Sequence, residues 1–416
     1  MKLRLPRSTS YDLMLLLVVL GLVLIGVAMV FSASGMRALD TVDDPRYYLA
    51  WQALWATLGL AGMFAAMRVD YHRYRALAVP LLAVTVVLLL AVLIPGVGFR
   101  SGGAARWLRF GPVGLQPAEL AKLALILYLA AWLGGRRDVI AKPAVIVPFF
   151  AVTAGLAALV VAEPDLGTAI VIAAIALTMY FIAGARLRVF ASIAGLAAVT
   201  GLAIAVAQPY RLQRLTTFLD PWSDPKGAGF QTIQSLYGLA LGGLFGEGLG
   251  AGREKFGFLP APYTDSIFAV LGDELGLAGT LAVIVLFFVL GYRGIAIALR
   301  ARDATGALLA AGITTWLVFQ AWVNMAVVAS LVPMTGITLP FISYGGSSLC
   351  VGLIAVGILL NVGREAGPAP QSVSRAPRRR RDGRSSLSAP RDRRGTARGR
   401  SRVGAAVHRW SSRARG

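Results

Sequence analysis

One acidic residue of this sequence stands where a loop meets a long apolar segment. Asp265 follows a turn that contains two prolines, and an apolar run begins at the next residue, Ser266. Asp273 and Glu274 lie about two helical turns further along that run. Ionisable groups are costly in a membrane segment and are functional there by default. Asp265 is therefore a candidate reactive carboxylate, although Thr264 or Asp265 could equally cap the helix that begins here.

Cationic side chains in the same region favour a reactive carboxylate over a simple cap. Arg253 and Lys255 precede Asp265 within one long loop. Earlier in that loop, Arg211 and Arg214 lie beside aromatic residues, an arrangement that suits a phosphate group or the face of a sugar. The residue types thus predict a site that combines cations with a carboxylate.

A second charged constellation lies about 150 residues before Asp265. Arg106 and Arg109 are followed by Pro117, a residue that suits the first turn of a helix. Glu119 and Lys122 are three residues apart, so they share a helix face and can form an ion pair. Two interpretations remain open: a structural ion pair, or a charged lining for an anionic ligand.

Two further polar stretches interrupt apolar runs. In the turn Glu163-Pro164-Asp165, the aspartate precedes a helix and is typical of an N-cap. The stretch 333–349, which includes Ser343, is rich in Pro and Gly, so it should break the helix. Backbone freed at membrane depth survives only where it is buried or lines a cavity. Asn324, in the preceding apolar run, also needs a hydrogen-bond partner.

The elements that position these residues are transmembrane helices. The chain has 416 residues, of which 57% are hydrophobic, and its mean hydropathy is +0.69. These values indicate an all-α polytopic membrane protein. A window of about 20 residues gives about ten spans, at roughly 11–33, 47–67, 74–95, 115–134, 142–162, 166–184, 187–207, 266–299, 304–332 and 337–362.

The distribution of charge predicts the orientation. Arg and Lys cluster after spans two, four, six and eight, so these loops and both termini are expected on the cytoplasmic side. The large loop at about 208–265, between spans seven and eight, is then extracytoplasmic, and its length indicates function. The basic loop 97–114 departs from the rule, which indicates either a misplaced span or an anion-binding role.

The chain divides into a basic cytoplasmic N-terminus (1–10), a membrane domain (11–362) and a tail (363–416). Sixteen arginines and three acids lie between Arg364 and the end, so the tail carries much of the net charge of +21. We expect it to be disordered. It would bind anionic lipid headgroups or an acidic cytoplasmic protein rather than nucleic acid. The single cysteine, Cys350, excludes an internal disulfide.

The motifs, taken in order, resemble the SEDS family (shape, elongation, division and sporulation) over residues 11–362. Three stretches resemble the division members more than the elongation members: Phe31–Ser34, Arg253–Lys255 and Gly336–Pro340. The resemblance implies a SEDS-type fold and a peptidoglycan glycosyltransferase. Such an enzyme polymerises lipid II at the outer face of the bacterial plasma membrane, here at the division septum. The chain departs from the family's usual residues at Glu163 and at Ala261-Pro262-Tyr263.

The resemblance also assigns roles to residues. Asp265 matches the family's essential aspartate and would be the general base, which takes the proton of the attacking sugar hydroxyl. Cations would stabilise the charge that develops on the lipid-linked pyrophosphate as it leaves. The substrate-binding candidates are Arg106, Arg109, Glu119, Lys122, Arg211, Arg214, Lys255 and Ser343.

The expected ligands and partners follow from the same resemblance. They are lipid II, the growing glycan strand, a class B penicillin-binding protein (a transpeptidase) and other proteins of the division machinery. A divalent cation, Mg²⁺ or Mn²⁺, is expected without an assignable set of ligands, and no organic cofactor is expected. Three alternatives stay open: a lipid II flippase or other transporter, an elongation polymerase, and a non-catalytic scaffold.

Overall fold

The structure, a computed structural model, describes residues 11–101, 104–111, 113–253, 259–260 and 262–366. The predictions for the N-terminus 1–10, for Lys255 and for the tail beyond residue 366 lie outside these residues. Within them, twelve helices longer than one turn make up most of the fold. They are α1 (Leu13–Val42), α2 (Tyr47–Arg68), α3 (Tyr74–Leu93), α4 (Pro117–Leu133), α5 (Pro143–Ala162), α6 (Leu166–Ile182), α7 (Leu187–Val206), α8 (Pro209–Leu219), α9 (Phe230–Leu241), α10 (Ile267–Arg300), α11 (Ala304–Val328) and α12 (Gly346–Glu365).

The prediction of a polytopic membrane protein is confirmed. Eight helices in the described part of the chain are long and apolar enough to cross a membrane: α1, α2, α3 with the preceding turn, α5, α7, α10, α11 and α12. The other two predicted spans correspond to α4 and α6, each of 17 residues. A helix of that length extends about 26 Å, close to the thickness of the hydrocarbon core.

Several predicted boundaries were wrong. α1 continues to Val42 rather than ending at 33, and α12 begins at Gly346 rather than at 337 and continues to Glu365. A hydropathy window detects the apolar part of a helix, whereas helical hydrogen bonding continues through polar turns such as the one around Arg37. The segment 329–345 is not helical. This fits the expectation that its Pro and Gly residues break the helix.

The loop between α3 and α4 contains a small antiparallel sheet that was not predicted. Its strands are β1 (Gly98–Ser101), β2 (Ala104–Phe110) and β3 (Val113–Leu115), in the order β1-β2-β3. The strands are too short for a strong periodic signal, and only the glycines between them indicate turns. Because β3 leads into α4 within two residues, the sheet places the basic strand β2 beside the start of that helix.

The helix α10 is broken about a third of the way along its length, at Gly276. Gly276 has φ 65° and ψ −162°, and a Cβ there would lie 2.4 Å from the Gly246 nitrogen. The chain before α10 pairs with the broken backbone, since the Glu247 and Gly248 amides donate to the carbonyls of Asp273 and Glu274, at 3.0 Å each. These bonds satisfy the polar backbone groups that the break exposes. Both acids are fully buried, and the Ser32 hydroxyl donates to Glu274 Oε1 at 2.6 Å.

The helices pack so that two ends of the bundle can be distinguished along α2. At the start of α2, Tyr48 contacts Tyr263, which lies two residues before Asp265. At the other end, Asn361 of α12 donates to the Met67 carbonyl at 2.8 Å and accepts from the Tyr71 amide at 3.0 Å. These are called the Asp265 end and the Asn361 end, and the rise of α2 separates them by about 28 Å.

Candidate functional site

The turn that carries Asp265 is fixed by hydrogen bonds from two other parts of the chain. The Ser343 hydroxyl donates to the Thr264 carbonyl at 2.6 Å, and the Tyr344 amide donates to the Tyr263 carbonyl at 2.8 Å. The N-cap of α10 is Ser266, which makes no side-chain capping bond. The interpretation of Thr264 or Asp265 as the helix cap was therefore wrong, and Asp265 is held by tertiary contacts instead.

The environment of the Asp265 side chain favours a base. The carboxylate is partly buried and accepts a hydrogen bond from the Thr264 hydroxyl at 3.2 Å. Burial raises the pKa of the Asp265 carboxyl above its usual range, while Thr264, Arg214 and Gln231 act in the opposite direction. A carboxylate with a raised pKa accepts a proton more readily than one in water.

Arg214 lines a polar cavity beside Asp265. Its guanidinium donates to the Met334 carbonyl at 3.0 Å and to the Tyr210 hydroxyl, and it lies 4.6 Å from the centre of the Tyr210 ring. The cavity has a volume of about 270 Å³ and lies between α8, α9 and the chain after α11. Gln231 of α9 also lines it and donates to the Ser266 hydroxyl at 3.0 Å. Gln231 thus links the wall of the cavity to the turn that holds the carboxylate.

A larger, apolar cavity lies on the other side of Arg214. Its volume is about 690 Å³, and α6, α7, α8 and the chain after α11 form its walls. Arg214 and Met334 line both cavities, so they form part of the boundary between them. No residue of α7 is buried, which leaves its wall of the cavity lightly packed. A polar compartment and an apolar compartment therefore meet at one arginine.

Two other predicted arginines bind backbone carbonyls at or near the end of α5. Arg211 is buried and donates to the carbonyls of Val161 and Ile204, at 3.2 and 3.3 Å. Arg106 of β2 donates to the Glu163 carbonyl at 3.2 Å and also to the carbonyl of Pro164. Arg106 thus holds the turn between α5 and α6, part of which lines the apolar cavity, whereas Arg211 joins the last turn of α5 to α7 and lines the cavity directly.

The other predicted cations that the structure describes, Arg109 and Arg253, contact residues other than Asp265. Arg109 is exposed, and its guanidinium lies 3.9 Å from the centre of the Phe99 ring. Arg253 lies 3.6 Å from the carboxylate of Glu247, which precedes it in the same loop. The structure therefore gives Arg253 an acid other than Asp265 as its ion-pair partner. Contacts across a long loop depend on how the loop folds, which residue order alone did not indicate.

The predicted pair of Glu119 and Lys122 is present but buried. Lys122 Nζ donates to Glu119 Oε1 at 2.6 Å, and the side chains are 1% and 5% exposed. Lys122 also donates to Gln320 Oε1 at 2.7 Å and lies 5.0 Å from the centre of the Trp316 ring. The spacing prediction of an ion pair is confirmed. Neither charged residue lines either cavity within the described part of the chain.

Glu163 is a buried acid that the sequence analysis treated only as part of a turn. Glu163 is 1% exposed, and neither of its carboxyl oxygens has a hydrogen-bond partner among the described residues. Burial, with nearby Asp165, raises its pKa to about 8. Asp165 itself accepts from the Thr168 amide at 3.0 Å, so its prediction as the N-cap of α6 is confirmed.

The predicted Ser343 lies behind the turn rather than in a cavity lining. Its hydroxyl oxygen accepts from the Leu339 amide at 2.8 Å while it donates to Thr264. Gln231 and Gln320 were not predicted from the sequence to have a role in the site. A polar residue inside an apolar run, such as Gln320, is the signal that could have identified one of them.

Metal ligands are sparse around Asp265. Neither cavity has an Asp or Glu among its described lining residues. Among the described residues, one group of three possible ligands lies within 4.8 Å: Asp70, His72 and Glu365. This group is at the Asn361 end of the bundle. Since no group of three at the Asp265 end meets this distance among the described residues, a cation there would need ligands from outside the protein, as Mg²⁺ commonly has.

Comparisons with known proteins identify the family. The model of the FtsW, RodA and SpoVE family, described as a cell cycle protein, matches residues 12–367. The chain is similar to stage V sporulation protein E of Bacillus subtilis, at 44% identity over 86% of this chain and 98% of that protein. It is also similar to a probable peptidoglycan glycosyltransferase FtsW of Trichlorobacter lovleyi, at 44% identity over 88% of this chain and 96% of that protein.

Solved structures agree with these relatives. One is described as showing structural coordination of polymerization and crosslinking by a peptidoglycan synthase complex. It matches with a TM-score of 0.69 and 33% identity, over 85% of this chain and 98% of that chain. The rod shape determining protein RodA of Thermus thermophilus matches with a TM-score of 0.64 and 29% identity, over 86% and 98%. The fold, the order of the motifs and these matches together place the chain in the FtsW, RodA and SpoVE family of cell cycle proteins.

Proposed function

We propose that this protein is a peptidoglycan glycosyltransferase that polymerises lipid II into glycan strands. The observation that best supports this proposal is the position of Arg214, which lies between a polar cavity beside the Asp265 turn and an apolar cavity of about 690 Å³. Lipid II has three chemical parts in a fixed order: sugars, a pyrophosphate and a polyprenyl chain. Sugars in the polar cavity, pyrophosphate at Arg214 and the chain in the apolar cavity would follow that order.

Asp265 would act as the general base of the transfer. Its carboxylate takes the proton of an acceptor sugar hydroxyl as that oxygen attacks the anomeric carbon of the donor. The bond from the anomeric carbon to the pyrophosphate oxygen breaks, and its electron pair leaves with the lipid-linked pyrophosphate. Direct displacement inverts the anomeric centre. Arg214 is the cation best placed to stabilise the charge that accumulates on the leaving group.

The other cations would support this site in different ways. Arg106 holds the α5–α6 turn beside the apolar cavity, and Arg211 joins α5 to α7 and lines that cavity. The N–H groups that these bonds do not use would donate to phosphate. Arg109 and Lys255 would attract the anionic substrate from outside the cavities. Ser343 would act through the turn that it holds.

A divalent cation, Mg²⁺ or Mn²⁺, would be held mainly by the substrate's pyrophosphate, since Asp265 is the one carboxylate assigned to the site. When bound, it would neutralise charge on the leaving group. Chelation by EDTA should then lower the rate of polymerisation, and added Mg²⁺ should restore it.

The cellular setting is part of the same proposal. The positive loops favour cytoplasmic termini in a bacterial plasma membrane, so the Asp265 end would face outward. The 44% identity to an FtsW supports a role at the division septum, and a class B penicillin-binding protein is the partner proposed there. Similarity to a peptidoglycan synthase complex supports such a partner. The Arg-rich tail would bind anionic lipid or an acidic division protein.

The decisive assay uses the purified full-length protein with its class B penicillin-binding partner, lipid II and Mg²⁺. We expect glycan strands that grow with time. The same protein in vesicles that contain labelled lipid II should leave the rate of transbilayer movement unchanged. Movement of lipid II without any strand formation would favour the flippase alternative and contradict the proposal.

A further inference from the structure

Two buried amide side chains lie one turn apart on α11. Gln320 and Asn324 are each 1% exposed. Their spacing of four residues places them on one face of the helix, so their side chains reach the same neighbouring segment. That segment is the non-helical chain between α11 and α12. Buried amides are costly unless they make hydrogen bonds, and both of these donate through their nitrogens, while Asn324 Oδ1 has no partner among the described residues.

Asn324 ties the catalytic turn to this segment. Its Nδ2 group donates to the carbonyl of Asp265 at 2.8 Å and to the carbonyl of Ile337 at 2.8 Å. Neither carbonyl belongs to a helix, so each needs such a donor when it is buried. Because one amide nitrogen makes both bonds, the backbone of Asp265 is fixed relative to Ile337.

Gln320 makes the equivalent connection to the buried ion pair. Its Nε2 group donates to the carbonyl of Thr338 at 2.9 Å, the residue after Ile337. Its Oε1 atom accepts from Lys122 Nζ at 2.7 Å and from Trp316 Nε1 at 2.9 Å. A continuous chain of hydrogen bonds and one peptide unit therefore runs from Glu119 through Lys122, Gln320, Thr338, Ile337 and Asn324 to Asp265.

The position of the ion pair fits an anchoring role. Lys122 has three N–H donors, and it directs two of them to Glu119 and Gln320. Both cavities have linings that include neither Glu119 nor Lys122 among the described residues. The two side chains are 1% and 5% exposed, whereas Asp265, which also lines neither cavity, is only partly buried.

We propose that Gln320 and Asn324 are positioning residues that hold the backbone of Asp265, and that the Glu119–Lys122 pair anchors them without contacting the substrate. The α11 amides and the ion pair are together called the amide relay. The expected effect on kcat rests on the proposed glycosyltransferase function. The fixed position of the Asp265 turn rests on the hydrogen bonds alone.

The first test replaces Asn324 by Asp, which has nearly the same shape but no donor for the two carbonyls. We expect kcat for lipid II polymerisation to fall at least tenfold, with KM for lipid II within twofold of wild type. Gln320→Glu is the second variant, because it keeps the acceptor for Lys122 and loses the donor to Thr338. It should reduce kcat in the same way. A rise in KM without a fall in kcat in both variants would contradict positioning.

A matched control is available at the other end of the bundle. Asn361 is also fully buried, and its Nδ2 group also donates to one backbone carbonyl. Asn361→Asp and Asn324→Asp should both lower the melting temperature. Asn361→Asp should nevertheless leave kcat of the folded protein within twofold of wild type. An equal loss of kcat in Asn361→Asp would show that general destabilisation explains the effect.

The second test separates an anchoring ion pair from a substrate contact. Removing one charge of a buried pair leaves the other uncompensated, whereas removing both is often tolerated. Glu119→Gln and Lys122→Met should each reduce melting temperature and activity. The double variant should recover at least tenfold in activity over Lys122→Met. A double variant as inactive as Lys122→Met, yet as stable as wild type, would overturn the anchoring role.

A readout independent of activity separates this inference from the proposed function. Hydrogen exchange of peptides that cover 262–270 should be faster in Asn324→Asp than in wild type and unchanged in Asn361→Asp. If the wild type made no glycan, the glycosyltransferase proposal would fail while this measurement still tested the relay. Unchanged exchange in Asn324→Asp would contradict the relay even in an active enzyme.

Discussion

At the scale of single residues, local spacing was a good guide and long-range contacts were not. The pairing of Glu119 with Lys122 followed from their separation on a helix, and the structure has them 2.6 Å apart. Arg253 was expected near Asp265, but its partner is Glu247. The first contact is fixed by helix geometry, whereas the second depends on the path of a loop. The residue order contains the first kind of information directly.

Glu163 makes the stability of the protein depend on pH. Its pKa is raised from 4.5 to about 8 by burial, so the folded state binds one proton more than the unfolded state between these values. Stability must then fall as pH rises through this window and level off above about pH 8. We expect Glu163→Gln to remove this component, so the variant should melt at a higher temperature than wild type at pH 9.

The measurement is the melting temperature of both proteins from pH 5 to pH 9. The difference between them should grow with pH and then stay constant above about pH 8. Asp138→Asn, at an exposed acid in a loop, is the control and should follow the wild type. Parallel curves for wild type and Glu163→Gln would contradict a buried, protonated Glu163.

At the scale of elements, the hydropathy pattern predicted which helices exist but not how they are interrupted. The predicted span 266–299 agrees closely with α10, yet the break at Gly276 was missed. Glycine occurs often in transmembrane helices, so its presence alone does not indicate a break. The sheet β1-β2-β3 and the helices α8 and α9 were also missed. They lie in loops, where no window of membrane length applies.

Gly276 should tolerate no side chain. An Ala there needs φ 65° with ψ −162°, a backbone region that is essentially confined to glycine, at a cost of about 1–3 kcal/mol. Its Cβ would also lie 2.4 Å from the Gly246 nitrogen, a backbone atom that cannot move aside cheaply. We expect Gly276→Ala to lower the melting temperature strongly and to reduce polymerisation, because α10 continues from the turn of Asp265. Gly21→Ala in α1 is the matched control, since a Cβ there meets nothing within 4 Å. Equal melting temperatures for both variants would contradict this account of the break.

At the scale of the whole molecule, the site lies where separate parts of the chain converge. The Asp265 turn precedes α10, its hydrogen-bond donors come from α11 and from residues 343–344, and Arg214 comes from α8. The family resemblance singled out Asp265 and Arg214 as candidates from short motifs. It could not indicate the two cavities that meet at Arg214, because their walls come from residues far apart in the sequence that form no motif.

The apolar cavity should be required for the lipid part of the substrate. Ala198 of α7 lines this cavity, whereas Leu196 of the same helix is 66% exposed on the outer surface. Ala198→Trp should fill part of the cavity and reduce polymerisation of lipid II at least tenfold. The loss should be smaller for an analogue with a short prenyl chain. Leu196→Trp should keep wild-type activity. Equal losses with both substrates would argue against a lipid-binding role.

The role of Asp265 as the general base is tested by the rate of glycan formation by Asp265→Asn. Wild type and variant would be compared as full-length proteins with the class B penicillin-binding partner, lipid II and Mg²⁺, after their melting temperatures and membrane insertion had been matched. We expect strands from wild type and a loss of at least 10²-fold in the variant, the lower end of the contribution of general base catalysis. Equal rates from both proteins would contradict Asp265 as the base.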